Sequence, residues 1–105
     1  MSSLDRILPF LQPIEDLLVD PTITEVMVNA GGRRVFVERN GTVERVDDRA
    51  REIRNLTVAI KNIARACGDE ISDVQPLLDA RLEDGSRVAA MFPPCAVAGA
   101  VLTIR

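Results

Sequence analysis

Residues 77–105, LLDARLEDGSRVAAMFPPCAVAGAVLTIR, contain one of the strongest kinds of local hairpin signal and two arginines at strand ends. Residues 77–82 and 87–92 each have the composition of a β-strand, and apolar side chains in the second recur with a period of two. Asp84-Gly85 lies between them and is typical of a hairpin turn, because glycine adopts a positive φ without steric cost. The segment therefore predicts an antiparallel hairpin.

A third strand follows this hairpin. Pro93 and Pro94 predict a corner, because proline fixes φ and lacks an N–H donor, and residues 100–105 then form the last strand. Arg87 directly follows the hairpin turn, and Arg105 ends the final apolar run. From the residues alone, each arginine is either a solvated strand end or part of an anion site. The proline corner is expected to set their mutual geometry.

A three-stranded antiparallel meander is predicted upstream, at residues 22–29, 33–39 and 42–47. Its first two strands are rich in β-branched residues, and Asn40-Gly41 is typical of a type I′ hairpin turn. Residues 13–20 predict a helix that begins at a proline, which is tolerated in the first turn.

Residues 49–67 predict the main helix, and Gly68 suits its left-handed cap. Apolar residues recur there at spacings of three and four, at Ile53, Leu56, Ile60, Ile63 and Cys67. Arg54, Lys61 and Arg65 lie on roughly the opposite face, where they are either solvated or contact a partner. The order of elements predicts an α+β domain. It has a mostly antiparallel sheet of about six strands (a three-stranded meander, a helix, three more strands), with helices packed against it.

Composition narrows the class of protein. A chain of 105 residues suffices for one domain with one core. It has no apolar run of the ~18–20 residues that a membrane span needs and no signal-peptide pattern, so we expect a cytoplasmic protein. The net charge of −3 argues against a nucleic-acid partner, although residues 33–65 hold nine basic and five acidic residues.

The residues that common active sites need are missing from the sequence. Lys61 is the only lysine and lies outside any Walker A motif, and the chain has no histidine and no Cys-x-x-Cys pair. Asp79 with Glu83 or Asp84 could form a carboxylate pair, but acids beside a hairpin are usually part of turn chemistry. We therefore expect no catalytic residue and no metal site, so that the isolated chain is not an enzyme.

Taken together, several blocks resemble the N-terminal domain of type II/IV secretion ATPases, closest to the branch that drives Tad-type pilus assembly. These blocks are DPTITEVMVN at 20–29, the RNG hairpin at 39–41, DARLEDGSRV at 79–88, the Pro-Pro pair, and LTIR at 102–105. The resemblance covers about residues 13–105 and leaves residues 1–12 as an N-terminal extension. It implies that a C-terminal RecA-like domain with the Walker A loop is absent from this chain.

The resemblance also implies a function and a set of site residues. Family members are hexameric ATPases that power secretion or pilus assembly, and arginines of the N-terminal domain reach the nucleotide phosphates. The matching positions here are Arg87 and Arg105, with Arg81 as a third candidate. ATP and Mg²⁺ are the cofactors expected of the full-length protein. Expected partners are the RecA-like domain, neighbouring subunits and inner-membrane platform proteins, which would give peripheral membrane association from the cytoplasmic side.

Two other functions remain open at this point. The chain could be a stand-alone adaptor or regulatory module that binds proteins without nucleotide chemistry. Nucleic-acid binding through residues 33–65 is the weaker possibility, because the region has few aromatic side chains for base stacking.

Overall fold

A six-stranded antiparallel sheet forms the centre of the molecule. The computed structural model describes residues 3–46, 51–93 and 99–105. The strands are β1 (Ile23–Asn29), β2 (Arg34–Arg39), β3 (Thr42–Arg45), β4 (Leu77–Arg81), β5 (Arg87–Met91) and β6 (Val101–Ile104), and the helices are α1 (Glu15–Leu18) and α2 (Leu56–Ala66). Short 3₁₀ turns occupy Ser3–Arg6, Leu8–Phe10, Gln12–Ile14 and Ala30–Gly32. The predicted α+β class with six strands is confirmed.

The order of the strands is β3-β2-β1-β6-β5-β4, and every neighbouring pair is antiparallel. The central pair, β1 and β6, joins the meander to the C-terminal hairpin, with Val26 opposite Ile104 and Val28 opposite Leu102. All four of these side chains are buried. This match of buried positions gives the two halves of the sheet a common register, because a slip of one residue would reverse the faces.

One face of the sheet packs against α2 and the N-terminal turns, and the opposite face is partly exposed. The buried face contributes the inward residues of every strand except β3 to a single core, while α2 contributes Leu56, Ala59, Ile60, Ile63 and Ala64. The other face, called the open face below, carries Met27, Phe36, Ala89, Met91, Val101 and Thr103, all partly exposed, and the more exposed Leu77.

The N-terminal segment differs from its prediction. The helix expected at residues 13–20 is reduced to the four-residue α1, which is preceded by 3₁₀ turns. Pro9 and Pro13 each lie at the start of such a turn, and both would remove a donor from a longer helix. Ile7 and Leu11 are fully buried in the core, although the sequence placed them in an extension ahead of the domain.

Helix α2 is shorter than the predicted 49–67, of which residues 49 and 50 lie outside the described part. It begins after Asn55, whose side-chain oxygen accepts a backbone N–H of the first turn at 3.2 Å. Ile53 is buried as expected but precedes the helix. Gly68 has φ +75° and caps the C-terminus, as predicted. No helix among the described residues is long and apolar enough to cross a lipid bilayer.

Both predicted hairpin turns are present. Asn40 and Gly41 have φ of +52° and +76°, as a type I′ turn requires. In the second hairpin Gly85 has φ +92°, and the backbone N–H of Leu82 donates to the carbonyl of Ser86 at 2.8 Å. This turn sets the register of β4 against β5.

A glycine junction ties the end of β1 to the segments that precede α2 and β6. Gly31 donates its backbone N–H to the carbonyl of Ala100 at 3.0 Å, and Ile53 donates to the carbonyl of Gly32 at 3.2 Å. Gly32 has φ +108°, and a Cβ there would overlap the carbonyl oxygen of Ile53. The close approach of these backbones therefore depends on glycine.

We predict that Gly32→Ala lowers the free energy of unfolding by roughly 2–4 kcal/mol, because it combines an unfavourable φ with a backbone overlap. Gly31→Ala is the matched control, since its φ is +70° but its Cβ would meet no atom within 4 Å. It should cost only about 1–2 kcal/mol. Urea denaturation measures both values, and equal losses would contradict the proposed overlap.

Candidate functional site

The three arginines predicted from the sequence lie side by side across β4, β5 and the end of β6. Arg81 is the register partner of Arg87 in the β4–β5 pair. Arg87 and Arg105 exchange two backbone hydrogen bonds, each N–H donating to the other's carbonyl at 2.9 Å. Arg81, Arg87 and Arg105 are called the arginine row below. The structure therefore brings together residues that are up to 24 positions apart in the sequence.

The arginine row belongs to the open face. Strand side chains alternate between faces, and the neighbours Val88 and Ile104 are buried on the helix side, so the arginines point the other way. All three are exposed. Because Arg87 directs its backbone hydrogen bonds to Arg105, its Cα is expected about 5.5 Å from that of Arg105 and about 4.5 Å from that of Arg81.

Such close spacing of like charges is unfavourable unless a negatively charged group offsets the repulsion. Among the described residues, neither Arg81 nor Arg105 forms an ion pair. Continuing the β1–β6 register by one residue from the Val26–Ile104 pair brings Glu25 beside Arg105, so the row of cations ends there. Arg81 and Arg105 would therefore gain from a bound anion.

Asp79 lies beside the arginine row and is the ion-pair partner of Arg87. Its carboxylate accepts two hydrogen bonds from Arg87, from Nε to Oδ1 at 3.1 Å and from Nη2 to Oδ2 at 2.9 Å. These hydrogen bonds, and then the charge of Arg87, hold the pKa of Asp79 below its ordinary value, and the same contacts raise the pKa of Arg87. The position of Asp79 beside a hairpin suggests turn chemistry, but the register of that hairpin places it diagonally across from Arg87.

A shallow groove of about 360 Å³ runs along the open face beside the row. Its lining is mainly apolar, with Leu77, Met91 and Val101, and it reaches Asp79 and Arg87. Cations and accessible apolar surface therefore occur together on this face.

The other sequence candidates lie away from this face. Lys61 and Arg65 are exposed on α2, which packs against the opposite side of the sheet, and Arg54 is exposed just before that helix. Pro93 is exposed, whereas Pro94 lies outside the described residues. The sequence predicts that the Pro93-Pro94 corner sets the geometry of Arg87 and Arg105. Among the described residues, the direct pairing of β5 with β6 accounts for their spacing.

The described residues contain no group of three or more histidine, cysteine, aspartate or glutamate side chains placed to hold a metal ion. Cys67 is half-buried, and burial raises the pKa of its thiol, which disfavours the nucleophilic thiolate. The arginine row offers only N–H donors, and Asp79, the carboxylate beside it, is already paired with Arg87. It therefore suits the oxygens of a phosphate better than Mg²⁺.

We predict that Arg87→Ala raises the pKa of Asp79, because it removes the largest cause of its depression. Arg81→Ala should raise it less, since Arg81 contributes only a smaller charge effect. NMR titration of the Asp79 carboxyl carbon measures both changes. With a pKa lower in the folded than in the unfolded state, the pair stabilises the fold above about pH 4, and this stabilisation is lost as the pH falls through the folded-state pKa. An unchanged pKa in Arg87→Ala would contradict the pairing.

Comparison with known proteins found secretion ATPases. The chain is 36% identical over 96 residues to the type IV secretion system protein VirB11 of Brucella suis, a match that covers 90% of this chain and 26% of the relative. It is 34% identical over 96 residues to the type IV secretion system protein PtlH of Bordetella pertussis, covering 90% of this chain and 28% of the relative. No protein-family model matches the chain.

The fold comparison agrees with the sequence comparison. The chain superposes with a TM-score of 0.81 and 34% identity on a crystal structure of the VirB11 ATPase from the Brucella suis type IV secretion system in complex with sulphate. The match covers 98% of this chain and 31% of that one. The chain therefore spans between a quarter and a third of the length of these relatives.

Proposed function

We propose that this chain, which is homologous to the type IV secretion ATPases, is the N-terminal nucleotide-contacting and oligomerisation domain of a hexameric ATPase that powers protein secretion or Tad-type pilus assembly. The resemblance read from the sequence is confirmed at the level of the secretion ATPases. The Tad-type branch, the limits of the domain and the roles of individual residues belong to the proposal. Because Ile7 and Leu11 are buried in the core, we place the start of the domain before residue 13.

The observation that carries this proposal is the arginine row. Arg81 and Arg87 stand in register on paired strands, which hold their backbones more rigidly than loops would. Arg105 directly follows β6 and is held to Arg87 by two backbone hydrogen bonds. Each guanidinium is permanently charged, and its planar fork matches two oxygens of a phosphate group. An ATP phosphate placed over the row would offset the repulsion between neighbouring arginines. The row can therefore hold nucleotide phosphates and stabilise charge that develops during hydrolysis.

The rest of the ATP site would come from the C-terminal RecA-like domain. That domain would supply the Walker A loop, the Mg²⁺ ligands and the catalytic carboxylate, which this chain does not contribute. Partly exposed apolar side chains such as Met27 and Met91, together with Leu77, share the open face with the arginines. This combination suits a surface that another domain covers. Alone, the chain would bind ATP weakly or not at all and would hydrolyse none.

The proposed assembly implies further partners. Neighbouring subunits of the hexamer and inner-membrane platform proteins would dock on this domain and hold the ATPase at the cytoplasmic face of the membrane. The exposed basic residues Arg54, Lys61 and Arg65 lie on the layer opposite the open face, so they would remain accessible while the row contacts nucleotide.

We predict that Arg87→Ala in the complete ATPase reduces ATP turnover by at least ~100-fold, because arginines that stabilise transferring phosphoryl groups contribute ~10³–10⁵ in rate. Arg87→Lys should recover only part of this loss, since lysine lacks the bidentate fork. Steady-state phosphate release from equal amounts of assembled protein measures the effect.

Arg34→Ala is the matched control. Arg34 is exposed on the open face but lies on β2, three strands away from Arg87 and outside the row. Its variant should turn over ATP at the wild-type rate. Wild-type turnover in Arg87→Ala would contradict the proposal and favour an adaptor without nucleotide chemistry.

A further inference from the structure

The ion pair between Asp79 and Arg87 determines which edge of the Arg87 guanidinium can meet a phosphate. We propose that Asp79 is a positioning residue that turns the Nη1/Nη2 edge of the Arg87 guanidinium toward the phosphate. This inference rests on the proposed function of the row. Asp79 itself would not touch the nucleotide.

The hydrogen-bond pattern determines which donors remain. A guanidinium has five N–H donors, and Asp79 takes two of them, the Nε–H and one N–H of Nη2. The remaining three lie on Nη1 and on the other side of Nη2. Two of these form a second parallel pair at the far edge of the group, which matches two phosphate oxygens. Arg87 can therefore hold its carboxylate partner and a phosphate at the same time, through different edges.

Strand geometry explains how Asp79 reaches the Nε/Nη2 edge of Arg87. Asp79 is the register partner of Ala89, so it lies diagonally across from Arg87 on the same face. The small side chain of Ala89 leaves room for the arginine stem to run toward the carboxylate. Both residues belong to paired strands, which fix the positions of their backbones.

Arg81 and Arg105 provide an internal comparison. They stand in the same row, but neither forms an ion pair with a described residue. Arg87 is thus the member of the row whose orientation is set before any ligand binds. Pre-organisation of this kind lowers the entropy that is lost when the phosphate contact forms.

The charge of Asp79 and its orienting role have opposite effects: the first opposes nucleotide binding, and the second favours hydrolysis. A carboxylate beside the row weakens the attraction for a polyphosphate, whereas correct orientation of Arg87 helps the reaction. Removing the charge should therefore strengthen nucleotide binding, or leave it unchanged, and slow the chemical step. A carboxylate that merely competes with phosphate for Arg87 would give a faster or unchanged reaction when it is removed.

The first test uses the 105-residue chain labelled with ¹⁵N. The Nε–H of Arg87 should exchange with water more slowly than the Nε–H groups of Arg81 and Arg105, and Asp79→Asn should abolish this difference. Asp73→Asn, which removes another exposed carboxylate, should leave it unchanged. Equal exchange rates for the three arginines in the wild-type chain would overturn the proposal.

The second test measures ATP hydrolysis by the complete ATPase. Asp79→Asn should lower kcat by about ten- to a hundredfold, the range expected for a misoriented catalytic group, while KM for ATP stays constant or falls. Asp79→Glu, which keeps the charge and both acceptors, should recover part of kcat. In an Arg87→Ala background, Asp79→Asn should have no further effect on kcat.

The outcomes separate the two proposals. A large loss in Arg87→Ala together with a wild-type or higher kcat in Asp79→Asn would overturn the positioning role and leave the function of the row intact. Wild-type turnover in Arg87→Ala would overturn both. A lower melting temperature in Asp79→Asn with unchanged kcat and KM would show a structural role, and that result would also overturn the inference.

Discussion

The pairing of β6 with both β1 and β5 is the constraint on which the rest of the structure depends. On one side, Val26 and Val28 meet Ile104 and Leu102, and these contacts join the two halves of the sheet. On the other side, β6 continues into the backbone exchange between Arg105 and Arg87. Because side chains alternate along a strand, burial of the apolar residues on one face directs the arginines to the other. The packing of the core and the alignment of the candidate site therefore have a common cause.

The two faces of the sheet consequently have different roles. The helix side is closed by α2 and by N-terminal turns that bury Ile7 and Leu11, and its backbones approach closely at Gly32. The open face keeps partly exposed apolar side chains next to three exposed cations. The relatives that the chain matches are three to four times longer than the chain itself. The helix side supports the fold, and the open face is the one on which we propose contact with nucleotide and a partner domain.

Asp79 links the fold to the proposed chemistry. Its hydrogen bonds to Arg87 are made through side chains that are both more than half exposed, so solvent screens them and they contribute little to stability. Their geometry is more informative than their strength, because they use two donors of Arg87 and leave an equivalent edge of its guanidinium without a partner among the described residues. A weak surface ion pair can in this way determine the direction of a cation without holding the protein together.

Local patterns were sufficient for most of the secondary structure. Asn40-Gly41 and Gly85 determine their turns because few residues other than glycine and asparagine adopt positive φ, and alternation identifies the strands. The strand pattern singled out Arg87 and Arg105 as solvated strand ends or an anion site, and the resemblance to a known family added Arg81 and the expected contact with nucleotide. The order of the strands, the burial of Ile7 and Leu11, and the alignment of Arg87 with Arg105 were decided only by the tertiary structure. These features depend on contacts between segments distant in sequence, and local propensity carries no information about which strand a given strand will pair with.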